Sequence, residues 1–257
     1  MMLACTLRTA MCEDAAMSTQ NAPANVTAAA AGHRIMLDSV SWQAVLAAVR
    51  AGQKFRGLPV SLAAGYLDGH VSQWPEQAWK ELQLAGITGR ALVGITVTGQ
   101  GGEAARARVG DSEPGDMSPA GAAAWALAQR NAGHWPVVYC DRSDKPHVIA
   151  ECFQRGLHLA TDFGLWVATL DGTFTDLDGS DLRTQRGVVA IQVEQAFSPV
   201  HVAGQPPDLD VSLVVSAAWR AAAKPPPAGP TKAELVAAAE LLTFHAKALL
   251  NLIKARQ

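Results

Sequence analysis

Eight short apolar runs, most of them separated by a helix-like segment, constrain this chain more than any other feature of its sequence. They occupy residues 35–40, 60–68, 90–98, 105–113, 135–140, 164–170, 188–193 and 211–215, and each has the length and the Val, Ile and Leu content of a buried strand. Between them, residues 42–51, 75–84, 119–130 and 145–155 carry helical periodicity. Trp79 and Leu82 share one face of the second helix, and Ser118 and Pro119 supply an N-cap and a first helical residue for the third. Strand and helix in alternation imply a parallel sheet, and a count of eight is that of a closed (β/α)8, TIM-like barrel. The connections after the third, sixth and seventh strands are too short or too polar for full helices, so the helical ring is expected to be incomplete. A chain of 257 residues, 49% of them apolar, is long enough to fill such a barrel as one domain.

The flanks read differently. Residues 1–32 mix Ala, Thr, Ser, Asn and Met without a sustained period, which predicts a disordered leader. No basic start, apolar run and small-residue cleavage site combine there into a signal peptide, so synthesis in the cytoplasm is expected, with action at the cell wall left open for a phage-encoded chain. The barrel is assigned to residues 33–220. Pro225, Pro226, Pro227, Gly229 and Pro230 mark a stiff linker over 221–231. Residues 232–257 then read as an amphipathic helix, with Leu235, Ala239, Leu242, Ala246, Leu249 and Ile253 at alternating spacings of four and three. That seam offers either self-association or packing onto the barrel.

Composition excludes several classes of partner. The formal net charge is −2 and no cluster of five basic residues appears, so neither nucleic acid nor an anionic membrane surface is expected. No run of about eighteen apolar residues predicts a membrane span. Cys5, Cys12, Cys140 and Cys152 form no C-x-x-C pair and have no histidine at metal-ligand spacing, which predicts reduced thiols and no metal site. Cofactor motifs are absent too. Gly99, Gly101 and Gly102 lack the spacing and the lysine of a phosphate loop and read as a flexible connection. Asp176, Asp178 and Asp181 lack the glycine and closing glutamate of a calcium loop.

What remains is acidic. Asp111 and Glu113, in V-G-D-S-E-P-G-D, end the fourth strand, where residues two apart point to one face with Cα atoms roughly 6.6 to 6.8 Å apart. An isolated D-x-E is ordinarily a solvated strand end. In this chain Asp38 ends the first strand, Asp68 the second, and Asp210 opens the eighth, which barrel closure places beside the first. Crowded carboxylates do not ionise independently, and one of them is expected to have a raised pKa suited to protonating a leaving group. Glycoside cleavage asks for such a set.

These residues resemble the lysozyme-type barrels of glycoside hydrolase family 25, and more closely the short versions found in actinobacteria and their phages. The resemblance covers residues 35–215. It rests on Asp38 in L-D-S-V-S-W, Asp111 and Glu113 in G-D-S-E, and Asp210 in D-L-D-V-S, supported by G-Y-L-D-G, V-V-Y-C, L-W-V-A and A-I-Q in the family's order. It implies Glu113 as general acid, with Asp111, Asp38 and Asp210 orienting it and stabilising positive charge on the sugar. Asp68, Tyr66, Tyr139, Trp166 and Gln192 are the implied sugar-binding residues, and a cell-wall glycan of N-acetylated sugars is the implied substrate. The sequence departs from the family at Leu170 and Val193, where aromatic rings are expected; Trp42, Trp74 and Trp166 are candidates to replace them. A second reading therefore stays open beside the hydrolase: a catalytically silent barrel that binds glycan or serves as a structural module, for instance in a phage particle.

Overall fold

The computed structural model describes residues 33–69, 73–197, 209–214 and 219. The expected leader 1–32, linker 221–231 and helix 232–257 lie outside the described residues, as do Cys5 and Cys12. In chain order the elements are β1 (Arg34–Asp38), α1 (Trp42–Arg50), β2 (Lys54–Phe55), β3 (Leu58–Tyr66), α2 (Glu76–Leu84), β4 (Leu92–Thr96), α3 (Gly101–Arg106), β5 (Val109–Ser112), α4 (Pro119–Asn131), β6 (Val137–Asp141), α5 (Lys145–Gln154), β7 (Gly164–Ala168), β8 (Val188–Phe197) and β9 (Leu209–Val214). Local chemistry explains where the helices begin. The Ser41 hydroxyl accepts from Ala44 N at the start of α1, and Ser118 does the same for Gly121 N at the start of α4, with Pro119 at the first helical position.

Eight of the nine strands close a ring in the order β1, β3, β4, β5, β6, β7, β8, β9 and back to β1. Pairing is parallel from β1 through β8 around the ring, but β9 runs antiparallel to both of its neighbours. The barrel is therefore mixed, which corrects the expectation of eight parallel strands. Reversal has a physical cause: eleven residues, 198–208, join β8 to β9, fewer than the dozen or more that a crossover to a parallel strand needs. Five α-helices are present among the described residues, so the helical ring is incomplete as expected. The short helix α3 occupies 101–106, where a flexible connection was expected, and it shortens the fourth barrel strand, β5, to four residues. The hairpin β2/β3 was also not expected. It turns through Arg56 and Gly57, both at positive φ (48° and 81°), the geometry of a two-residue hairpin loop.

Side-chain alternation splits the core in two. Met36, Leu62, Ala64, Val93, Ile95, Val109, Val137, Trp166, Ala190 and Val214 fill the barrel interior, and Leu37, Ala63, Val138, Val167, Ile191 and Val211 pack outward against the helices. This two-sided burial is why the strands read as continuous apolar runs. Trp219 fills the interior at the N-terminal end of the strands. The Arg108 guanidinium lies 4.9 Å from its ring centroid and donates to its carbonyl at 2.9 Å. Burial, and then Arg90 and Arg34 nearby, lower the Arg108 pKa to about 10.

Gly65 in β3 exists for one contact: a Cβ there would lie 2.3 Å from the Trp74 ring. Gly65→Ala is expected to cost about 1–3 kcal/mol by overpacking, read as a lower midpoint in urea unfolding. Gly102→Ala, in α3 with open space around it, should instead stabilise by roughly 0.5–1 kcal/mol.

Candidate active site

The interior-facing residues at the C-terminal ends of the parallel strands form an acidic cup. Asp38 ends β1 and is paired in register with Asp210 on β9. Because β9 is reversed, its first residues, and not its last, reach this rim; in an all-parallel barrel Asp210 would have lain at the opposite end. Asp111 in β5 sits beside Tyr139 in β6, and Tyr139 beside Trp166 in β7. Glu113 lies one residue beyond β5, so the expected strand stops short of it. Its carboxylate nevertheless falls on the side of Asp111. The chain reverses at Glu113-Pro114-Gly115-Asp116, where Asp116 N donates to Glu113 O at 3.0 Å and Gly115 takes φ +105°. As a result Asp111, Glu113 and Asp116 each bring a carboxylate oxygen within 4.8 Å of the others.

Electrostatics follow from that crowding. Asp111 is 3% exposed, and its Oδ1 is buried with no hydrogen-bond partner among the described residues. Burial, reinforced by Glu113, Asp116 and Asp141, pushes its pKa well above the usual carboxylate range. Glu113 is half-buried and also raised, by burial first; a hydrogen bond with Tyr139 works the other way, and Asp141, Asp116 and Asp210 add to the rise. Asp116 is raised as well, by burial and by Asp68. Thus the acid expected to hold a proton, Glu113, has a deeper neighbour whose protonated form burial also favours. Two carboxyls this close titrate as a pair.

Tyr139 is poised between them and the barrel wall. Its hydroxyl is 2.5 Å from Gln192 Oε1 and also within hydrogen-bond reach of Glu113. A phenol has one proton. With Gln192 accepting it, a protonated Glu113 completes the chain by donating to the phenol oxygen; with the Gln192 amide turned over, the phenol donates to an ionised Glu113. Tyr139 can therefore accompany Glu113 through both protonation states. Tyr66, half-buried, faces Asp38, Asp111, Asp210 and Glu113; burial and these four acids raise its pKa well above the usual phenol value, and burial with Glu113, Asp38 and Asp111 does the same to Tyr139.

Other expected sugar-binding residues take different places. Trp166 is 1% exposed inside the barrel; its Nε1 donates to Ser212 Oγ at 2.9 Å and its ring meets Tyr139 edge-on at 5.0 Å, so it supports Tyr139 and offers no face to a ligand. The Gln192 side chain is buried against Tyr139. Asp68 accepts from Thr96 Oγ1, Val97 N and Thr98 Oγ1 at 2.5–2.8 Å, which makes it the clamp of the loop after β4. Trp42 packs against the outer core, and Trp74 is buried with its Nε1 bonded to Ser39 O. Val193 points outward between barrel and helices, so the missing ring at that position takes nothing from the cup. Leu170 lies exposed at the rim at φ +57°.

Two acids of the cup were not anticipated. Asp141 ends the fifth barrel strand as the others do, and Asp116 is delivered by the Pro-Gly turn; both signals are present in the sequence. The trio of Asp111, Glu113 and Asp116 has the all-oxygen donor set of a hard divalent cation. At Asp176 the Lys145 ammonium pairs with the carboxylate and Gln185 adds a hydrogen bond, so that acidic loop is closed by a side chain. Cys140 and Cys152 are buried free thiols.

No family model matches the chain. No curated protein matches it either. Among solved structures it is similar to an uncharacterized B. stearothermophilus protein with a 1.07 Å crystal structure: 16% identity, TM-score 0.48, over 70% of this chain and 95% of that one. No helix among the described residues is long and apolar enough to cross a membrane.

Proposed function

We propose that the acidic cup hydrolyses glycosidic bonds, and that the chain is a mixed variant of the lysozyme-type (β/α)8 barrel acting on a cell-wall glycan. One observation carries the reading: a half-buried Glu113 with a raised pKa, backed by the unpartnered carboxylate oxygen of Asp111 on the same face. Glu113 is the member of that pair open enough to reach a ligand. It transfers its proton to the glycosidic oxygen as the bond to the anomeric carbon breaks, so the leaving sugar departs as a neutral alcohol. Positive charge then develops at the anomeric carbon, where the carboxylates of Asp38 and Asp210, together with Asp111 once ionised, lower its energy. Water adds to that carbon and returns a proton to Glu113. Tyr139 holds Glu113 in place throughout.

The test is release of reducing ends from purified peptidoglycan, with Glu113→Gln beside the wild type. Cleavage by the wild type alone supports the proposal. A wild type that binds peptidoglycan without releasing reducing ends marks the barrel as a binding module.

A further inference from the structure

Away from the cup, a cavity of about 670 Å³ opens between α2 and α3, within the range of roughly 300–1,000 Å³ common for small-molecule sites. Trp79, half-buried, forms its aromatic wall, set against Trp74 with ring centroids 5.1 Å apart and planes inclined at 43°. Around the indoles stand the amides of Gln73 and Gln83 and two ion pairs, Lys80 with Glu76 and Arg106 with Glu103, each 3.1 Å long and each internal to its own helix. The charged lining therefore balances, two acids against two bases. It gives neither an anion nor a cation an electrostatic advantage, while offering many donors and acceptors beside an aromatic face. A neutral, hydroxyl-rich ring with one apolar face matches that lining: the pyranose of a saccharide.

The cavity is also built into the wall of the cup. Trp74 Nε1 donates to the carbonyl of Ser39, next to Asp38, and Trp74 N donates to the carbonyl of Tyr66, both at 2.9 Å. Leu67, which lines the cavity, lies between Tyr66 and Asp68 in sequence. Chain that shapes the cavity thus also carries the residues of the cup.

We propose that this groove is a second glycan-binding site, which holds a neutral stretch of the strand beyond the bonds that are cut. The ligand class follows from the groove; the identity of the polymer rests on the hydrolase reading. Co-sedimentation with insoluble peptidoglycan tests it, using the full chain with Glu113→Gln so that binding is measured without cleavage. Trp79→Ala in that background should weaken binding about tenfold, the loss usual for a central aromatic anchor. Gln83→Leu, at an exposed position that cannot unfold the domain, should weaken it about threefold, the loss of one hydrogen bond. If Trp79→Ala proves misfolded, Gln83→Leu alone decides. Unchanged binding by the folded variants, or no binding by the parent chain, overturns the groove. If the variants lose binding while the wild type releases no reducing ends, the groove stands and the hydrolase reading falls.

Discussion

Glu113→Gln is expected to lower glycan cleavage by about 10²- to 10⁴-fold, the usual contribution of general acid catalysis, with the fold kept. Gln preserves the size of the side chain and can still hydrogen-bond the Tyr139 phenol, but it carries no transferable proton. Since Glu113 is half-buried and projects from the turn after β5, no core contact is removed, and the unfolding midpoint should stay close to that of the wild type. Circular dichroism with a reducing-end assay measures both. A Gln variant of undiminished rate removes Glu113 from the mechanism.

Asp111→Asn is expected to act in opposite directions on activity and stability. In the wild type the buried Oδ1 has no partner among the described residues and three neighbouring acids repel its charge. An amide in its place removes that charge and presents N–H donors to Glu113 and Asp116, a gain on the order of 1–3 kcal/mol at neutral pH. The pH dependence has a definite sign. Folding raises the pKa of Asp111, so between its unfolded and folded values the native state binds more protons than the unfolded chain, and stability declines as pH rises through that window. Glu113 and Asp116 act in the same direction, whereas Asp171, Asp176, Asp178 and Asp181, with lowered values, lose their contribution as pH falls. Comparing wild type with Asp111→Asn isolates one group: the variant's advantage in urea should be larger at pH 7.5 than at pH 5. Its turnover should nevertheless fall, because charge that stabilises the transition state is gone. An equal or lower midpoint at neutral pH would mean that the Asp111 carboxylate is well accommodated in the folded chain, and that its crowding costs no stability.

Much of this was legible in the sequence because burial leaves a trace in composition. The eight barrel strands could be located as apolar runs, since each is covered on both faces, and α1, α2, α4 and α5 by their periodicity and caps. Strand direction leaves no such trace. Nothing within L-D-V-S-L-V distinguishes a parallel from an antiparallel neighbour, yet that direction decides which rim receives Asp210. Similarly, Trp166 and Trp79 look alike as letters. One is sealed inside the barrel by its bond to Ser212, and the other lies beside a cavity. Asp116 was missed for a different reason: proximity produced by a turn is a matter of backbone geometry, and a reading by strand period stops where the strand does.

The reversed β9 also decides where the ring of strands begins and ends. β1 begins, and β9 ends, at the base of the barrel, where Arg34 pairs in register with Val214. The two ends of the strand ring are therefore neighbours, and both lie on the face away from the carboxylates. Neither end of the strand ring opens at the mouth, which is bounded by the opposite ends of the same two strands.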